Sequence, residues 1–153
     1  MESNQKLSFY RILLVEDDQK RADILISYLP KHIRVVHGSS AGRAIGIIRA
    51  DHRSRKDKSP YAGIMLDHDL QEQLVCAEEG RLSGMNVVDV IIHCVPRSVP
   101  ILVHSMNLSE APNMVKKLGS AGFSVTRIPM REMKAEKLAE WLRDDCEIPD
   151  END

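Results

Sequence analysis

The chain has 153 residues, 42% of them hydrophobic and 29% charged, with a formal net charge of −2. That length suits one domain around one core, and the mild charge excludes the global basic field expected of a protein that binds DNA or anionic membranes. No apolar run is long enough to span a bilayer, and the opening MESNQKLSFYR lacks a secretory layout, so a cytoplasmic protein is expected. Cys76, Cys94 and Cys146 are scattered without CxxC spacing, which reads as reduced thiols and not as a disulfide or zinc framework.

RILLV (11–15) is a compact apolar strand that ends in Glu16, Asp17 and Asp18. Residues 18–29 place Ala22, Leu25, Ile26 and Leu29 at helical spacing, and Pro30 stops that helix. IRVVH (33–37) predicts a second strand. Ser39 or Ser40 caps a helix with Ala41, Ala44, Ile45 and Ile48 inward. DHRSRKDKSP (51–60) reads as a polar, basic loop, and HRSRKDK within it as a solvated cluster that could attract a nucleotide phosphate. AGIML (62–66) predicts a third strand ending at Asp67, and residues 71–83 a long loop. MNVVDVIIHC (85–94) predicts a helix, ILVH (101–104) a fourth strand, and 109–119 a further helix. SVTRI (124–128) predicts the fifth strand. EMKAEKLAEWLRD (132–144) predicts the last helix, with Met133, Leu138, Trp141 and Leu142 on its apolar face.

Five β–α units in succession imply a parallel sheet covered by helices on both faces. The strands read as continuous apolar runs, as strands buried on both sides should. The expected fold is a flavodoxin-like three-layer α/β sandwich with strand order 2-1-3-4-5. A domain over residues 1–147 is expected, with 148–153 as an acidic tail that frays. Ligands in such sheets sit at the carboxyl ends of the strands. Glu16 and Asp17 after the first strand and Asp67 after the third would then converge. Crowded carboxylates repel unless a cation compensates, and the oxygen ligands suit Mg²⁺, with Mn²⁺ as its substitute. Asp17 or Asp18 could instead cap the helix that follows.

RILLVEDDQKRADILISYL, IMLDHDL, PILVHS and AGFSVTRIP together resemble the receiver domain of two-component response regulators, over nearly the whole chain and in order. The resemblance implies Glu16 and Asp17 as the acidic pair, Asp67 as phospho-accepting nucleophile and metal ligand, Ser105 as the switch hydroxyl, and the Asp69 carbonyl as a further ligand. It implies a stand-alone receiver in a phosphorelay, partnered by a histidine kinase or phosphotransfer protein, and pairing of two copies is a habit of such domains. Two departures stand out. Ile128 occupies the place of the family's lysine, with Arg127 the nearest cation and, by alternation, on the opposite side. Fourteen residues separate Asp69 from Gly84, with no proline after the aspartate.

LDHDL, SGMNVVDVI, VHSMN and APNMVKKL also resemble a divergent branch, the cyclic-phosphate processing receiver-like family. That resemblance implies His68, His104, Ser105 and Asn107 beside the pocket and a nucleotide phosphate as substrate. Opening a cyclic phosphodiester needs a base for water and an acid for the leaving oxygen, and two histidines supply both near neutral pH. Bland readings stand beside these. If Ser105 faces the pocket, alternation turns His104 into the core unless the strand has already ended. Asn107 would cap the helix near Ser109. The methionines at 106, 114, 130 and 133 would fill core or line a protein-binding surface. Three functions therefore stay open: a phosphorelay receiver, a metal-dependent phosphodiesterase, and a non-catalytic pseudo-receiver.

Overall fold

A computed structural model describes residues 10–54, 60–70 and 82–150. The strands are β1 (Tyr10–Val15), β2 (Ile33–Gly38), β3 (Gly63–Leu66), β4 (Ile101–Val103) and β5 (Val125–Arg127). The helices are α1 (Gln19–Tyr28), α2 (Ala41–Ser54), α3 (Gly84–Cys94), α4 (Glu110–Ser120) and α5 (Ala135–Asp144). All strand pairs are parallel, in the order β2-β1-β3-β4-β5. The expected topology is therefore the observed one.

Alternation along each strand divides the core in two. Leu13, Val15, Ile64, Leu66, Ile101 and Val103 face α2, α3 and α4. Ile12, Leu14, Met65 and Leu102 face α1 and α5, where they meet Ala22, Leu25, Leu138 and Trp141. Each fully buried aliphatic side chain of this kind contributes roughly 1.5–3 kcal/mol.

Local signals start the helices. Asp18 caps α1 by accepting the Arg21 N–H at 2.9 Å, and Ser40 accepts the Arg43 N–H at 3.1 Å at the start of α2. Ser83 and Asn86 form a reciprocal capping box at α3.

Several expectations shift in detail. Helix α2 runs to Ser54, so His52 and Arg53 are helical and not in a loop; 55–59 lie outside the described residues. The predicted loop at 71–83 falls mostly on residues 71–81, also outside the description, as do Cys76 and 151–153. Ile26, assigned inward by spacing, is 37% exposed. Beyond α5 the chain folds back: the Ile148 N–H donates to the Leu142 carbonyl at 2.9 Å, and Ile148 is buried against the α1–α5 core.

Candidate functional site

The site is built from the first residue past each of three neighbouring strands. Register pairs Val15 with Leu66 and Leu66 with Val103, so Glu16, Asp67 and His104 stand next in line. The sheet's hydrogen bonding continues through them. The Glu16 N–H donates to Gly38, that of Asp67 to Val15 and that of His104 to Leu66, at 3.1–3.2 Å. Val15, Leu66 and Val103 all face α2–α4, so the next side chain in each case turns toward α1. Strand β4 ends at Val103, and His104 joins the acids instead of a core pocket. Ser105, one residue on, has the opposite parity.

Glu16, Asp17, Asp67 and His104 are each at most 5% exposed. Arg21, on the first turn of α1, closes over them. Its Nε is 3.0 Å from Glu16 Oε1 and its Nη2 is 3.2 Å from Oε2. The same Nη2 lies 3.6 Å from Asp17 Oδ1 and 3.6 Å from Asp67 Oδ2. His104 Nε2 lies 3.3 Å from Glu16 Oε1, yet neither ring nitrogen has a hydrogen bond of good geometry among the described residues. His37, on β2, holds the Glu16 carbonyl through Nε2 at 2.6 Å. A cleft of about 50 Å³ results, lined by Glu16, Arg21, Asp67, Asp69, His104, Met106 and Met130.

The charges pull against one another. Burial pushes the Glu16 carboxyl up, but the His104 imidazole and the Arg21 guanidinium more than offset it and hold it well below the usual carboxylate range. Burial, aided by the Glu16 charge, pushes Asp67 up to about 7, against the pull of His104 and of the His68 N–H. The Arg21 guanidinium is held all the more firmly charged by its bonds to Glu16.

The remaining predicted residues form a rim. Asp69 lines the cleft, and its Oδ1 is 2.9 Å from His68 Nδ1. Asn107 Nδ2 donates to the same oxygen at 3.3 Å. His68 Nε2 points toward Glu110 at 3.8 Å, so His68 is turned along the rim and does not line the cleft. Ser105 is buried, and its hydroxyl accepts the Asn107 N–H at 3.1 Å. Asn107 Oδ1 accepts from the Ser109 and Glu110 N–H groups, which is the capping alternative to a substrate contact. Ile128, one residue past β5, is the position level with His104 and packs into the α1–α5 core, while Arg127 is exposed. Met114 and Met133 are core residues, whereas Met106 is 44% exposed at the cleft.

Sequence reasoning missed Arg21 and His37. Helical spacing gave no signal for Arg21, because Asp17 precedes the cap Asp18 and lies outside α1. Nothing local marked His37.

Residues 12–120 match the model of the cyclic-phosphate processing receiver domain. The chain belongs to that family. Several solved structures similar to it are receiver domains of low sequence identity. That of the sensor histidine kinase PA1611 of Pseudomonas aeruginosa PAO1 is 21% identical, with a TM-score of 0.64 over 92% of this chain and 100% of that one. It carries a magnesium ion coordinated in its active-site cleft. The receiver domain of an HD domain-containing protein of Pseudomonas fluorescens Pf-5 is 16% identical, with a TM-score of 0.66 over 92% and 96% of the two chains. A response regulator receiver domain protein of Clostridium thermocellum is 15% identical, with a TM-score of 0.66 over 91% and 95%. No curated protein matches the chain. No helix among the described residues is long and apolar enough to cross a membrane.

The donor chemistry fits a divalent metal ion. Glu16, Asp67 and His104 each offer one ligand atom, all within 4.8 Å of one another. A buried imidazole with no well-formed hydrogen bond is what a nitrogen donor awaiting a ligand looks like. Two carboxylates suit Mg²⁺ or Mn²⁺, and the imidazole favours Mn²⁺ or another transition ion.

Proposed function

We propose that this receiver-family domain is a metal-dependent phosphoesterase that opens cyclic phosphate esters, with nucleoside 2′,3′-cyclic phosphates as the substrate class. The observation that carries the reading is His104, buried within 3.3 Å of Glu16 and without a well-formed hydrogen bond. In this reading Glu16, Asp67 and His104 hold the metal, with Asp17 beside them and Asp69 at the mouth. When bound, a divalent ion there neutralises phosphoryl oxygens and lowers the pKa of attacking water. Water adds to phosphorus and releases one proton to solvent, one ring P–O bond breaks, and the leaving oxygen takes a proton. His68 stands at the rim, with Nδ1 2.9 Å from Asp69 Oδ1 and Nε2 turned toward Glu110, so supplying that proton requires its ring to swing into the cleft. Met106 and Met130 give the cleft an apolar wall for the sugar or base.

A panel of 2′,3′-cyclic nucleotides with Mn²⁺ or Mg²⁺ tests the reading. Turnover that needs the metal, is lost in His104→Ala and falls in His68→Ala is expected. No turnover, or turnover indifferent to both substitutions, overturns it.

A second reading is phosphoryl acceptance at Asp67 from a histidine kinase or phosphotransfer protein. It is supported by the aspartate's setting: Oδ1 accepts the His68 N–H at 2.8 Å, while Oδ2 is directed toward the cleft cation Arg21. Intact mass after treatment with a small phosphodonor and Mg²⁺ tests it. The adduct must appear, and must be absent in Asp67→Asn.

A further inference from the structure

Among the described residues lining the cleft, Arg21 is the one permanent cation. Three carboxylates already surround it, so a phosphate ester entering this space meets an excess of negative charge. Arg21 is also already engaged through Nε and Nη2. Its Nε and Nη2 take both oxygens of Glu16, and Nη2 leans on Asp17 and Asp67. Glu16 and Asp67 are also the carboxylates that a divalent ion would use. A metal needs ligand oxygens at about 2.1 Å, and a divalent ion held that close to the guanidinium repels it.

The side chain has somewhere to go. It is 36% exposed, whereas the Glu16 side chain is fully buried. Its own backbone is pinned independently, because the Arg21 N–H is held by the Asp18 carboxylate. The fork can therefore leave Glu16 without disturbing the start of α1. The geometry that grips a carboxylate with two parallel N–H groups also grips a phosphate.

Resting on the phosphoesterase reading, we propose that Arg21 is a displaceable counter-ion: it holds the carboxylates of the metal-free site, yields them to a divalent ion, and then binds the phosphoryl oxygens of the substrate. Metal and phosphate are thereby coupled. The ion frees the one fixed cation that lines the cleft among the described residues, and the empty acidic site keeps that cation occupied. Arg21 is in this role a substrate-binding residue, with no part in proton transfer.

The test is calorimetric titration of wild type, Arg21→Gln and Arg21→Lys, first with Mn²⁺ alone and then with inorganic phosphate at saturating Mn²⁺. Removing the competitor should tighten Mn²⁺ binding by Arg21→Gln about threefold to tenfold, and should weaken phosphate binding about tenfold. Arg21→Lys keeps the charge without the fork. It should fold wherever Arg21→Gln does not, and should lose about threefold in phosphate affinity. The opposed signs separate this role from a structural one. If Arg21→Gln weakens both ligands together, Arg21 merely positions Glu16 and the proposal falls. It falls equally if the variants alter neither affinity, or if wild type takes Mn²⁺ but no phosphate. If wild type binds no metal at all, the phosphoesterase reading itself fails.

Discussion

His104 Nε2 stands 3.3 Å from Glu16 Oε1, although the two residues follow strands that are not neighbours. Strand β3 lies between them, and the contact arises because both side chains share one face of the sheet and reach past the end of β3. Asp67 occupies that end. One imidazole and two carboxylates thus converge on a space that none of their strands defines alone.

A nitrogen donor in that position predicts a metal preference. Mn²⁺ should raise the thermal unfolding temperature of the wild-type protein more than Mg²⁺ does. At a hundredfold excess over the dissociation constant the gain is about 2.7 kcal/mol. His104→Gln should keep the fold and lose most of the Mn²⁺ gain. Unfolding scans in EDTA, Mg²⁺ and Mn²⁺ check this, and equal stabilisation of both proteins by Mn²⁺ would contradict it.

Asp67 makes the metal-free protein sensitive to pH. Its folded carboxyl ionises near 7, against an ordinary value of 3.8. Between those values the folded state binds more protons than the unfolded state, so stability falls as pH rises through the window. Glu16 acts in the opposite sense: its lowered pKa contributes stability that is lost as pH falls below its ordinary 4.5. In EDTA, Asp67→Asn should therefore be more stable than wild type at pH 8 by about 2–4 kcal/mol, with the difference gone near pH 4. Metal should reverse the trend in wild type, because the ion requires the ionised carboxylate. Denaturant unfolding at several pH values measures both effects.

Two glycines should respond differently to the same substitution. A β-carbon on Gly84 would collide with the Asp67 carbonyl oxygen and stand 2.6 Å from His68 Cα, both backbone atoms. Gly84 is the first residue of α3, where Ala gains little over Gly in helix propensity, so the clash should dominate and displace Asp67. A net loss of about 2–4 kcal/mol together with loss of metal binding is expected. A β-carbon on Gly63 would instead meet Trp141 Cη2 at 2.7 Å and Cys146 Sγ at 2.8 Å, at the far end of the strand. Gly63→Ala should cost about 1–3 kcal/mol and leave Mn²⁺ affinity unchanged. Unfolding and metal titration of the two variants, side by side, check the contrast.

Asn107 works for α4 more than for the cleft. Its Oδ1 accepts from the Ser109 N–H at 3.2 Å and the Glu110 N–H at 2.9 Å. Asn107→Ala should cost about 1 kcal/mol, equally with and without metal, and should leave Mn²⁺ affinity within about twofold. A selective loss of metal binding in this variant would place Asn107 in the site instead.

Much of this molecule is legible in local sequence. Five apolar runs separated by helical spacing specify the layers, because strands buried on both faces and one-sided helices have different periods. Glu16 and Asp67 were visible as acids standing directly after such runs. The sequence left the cap of α1 open between Asp17 and Asp18, and the structure gives it to Asp18. Even the company of His104 was implicit, since it follows Val103 as Glu16 follows Val15 and Asp67 follows Leu66. What was missing was the register between strands, which sets those three residues level, and the exact end of β4. Register is decided by packing of side chains far apart in sequence. Arg21 lay further out of reach. A long side chain on α1 can point to solvent or fold inward, and only the assembled acidic site determines which. The sequence by itself thus determined the fold and the acids at its carboxyl edge. The tertiary structure decided which base and which cation face them, because that choice depends on three strand ends and one helix meeting in space.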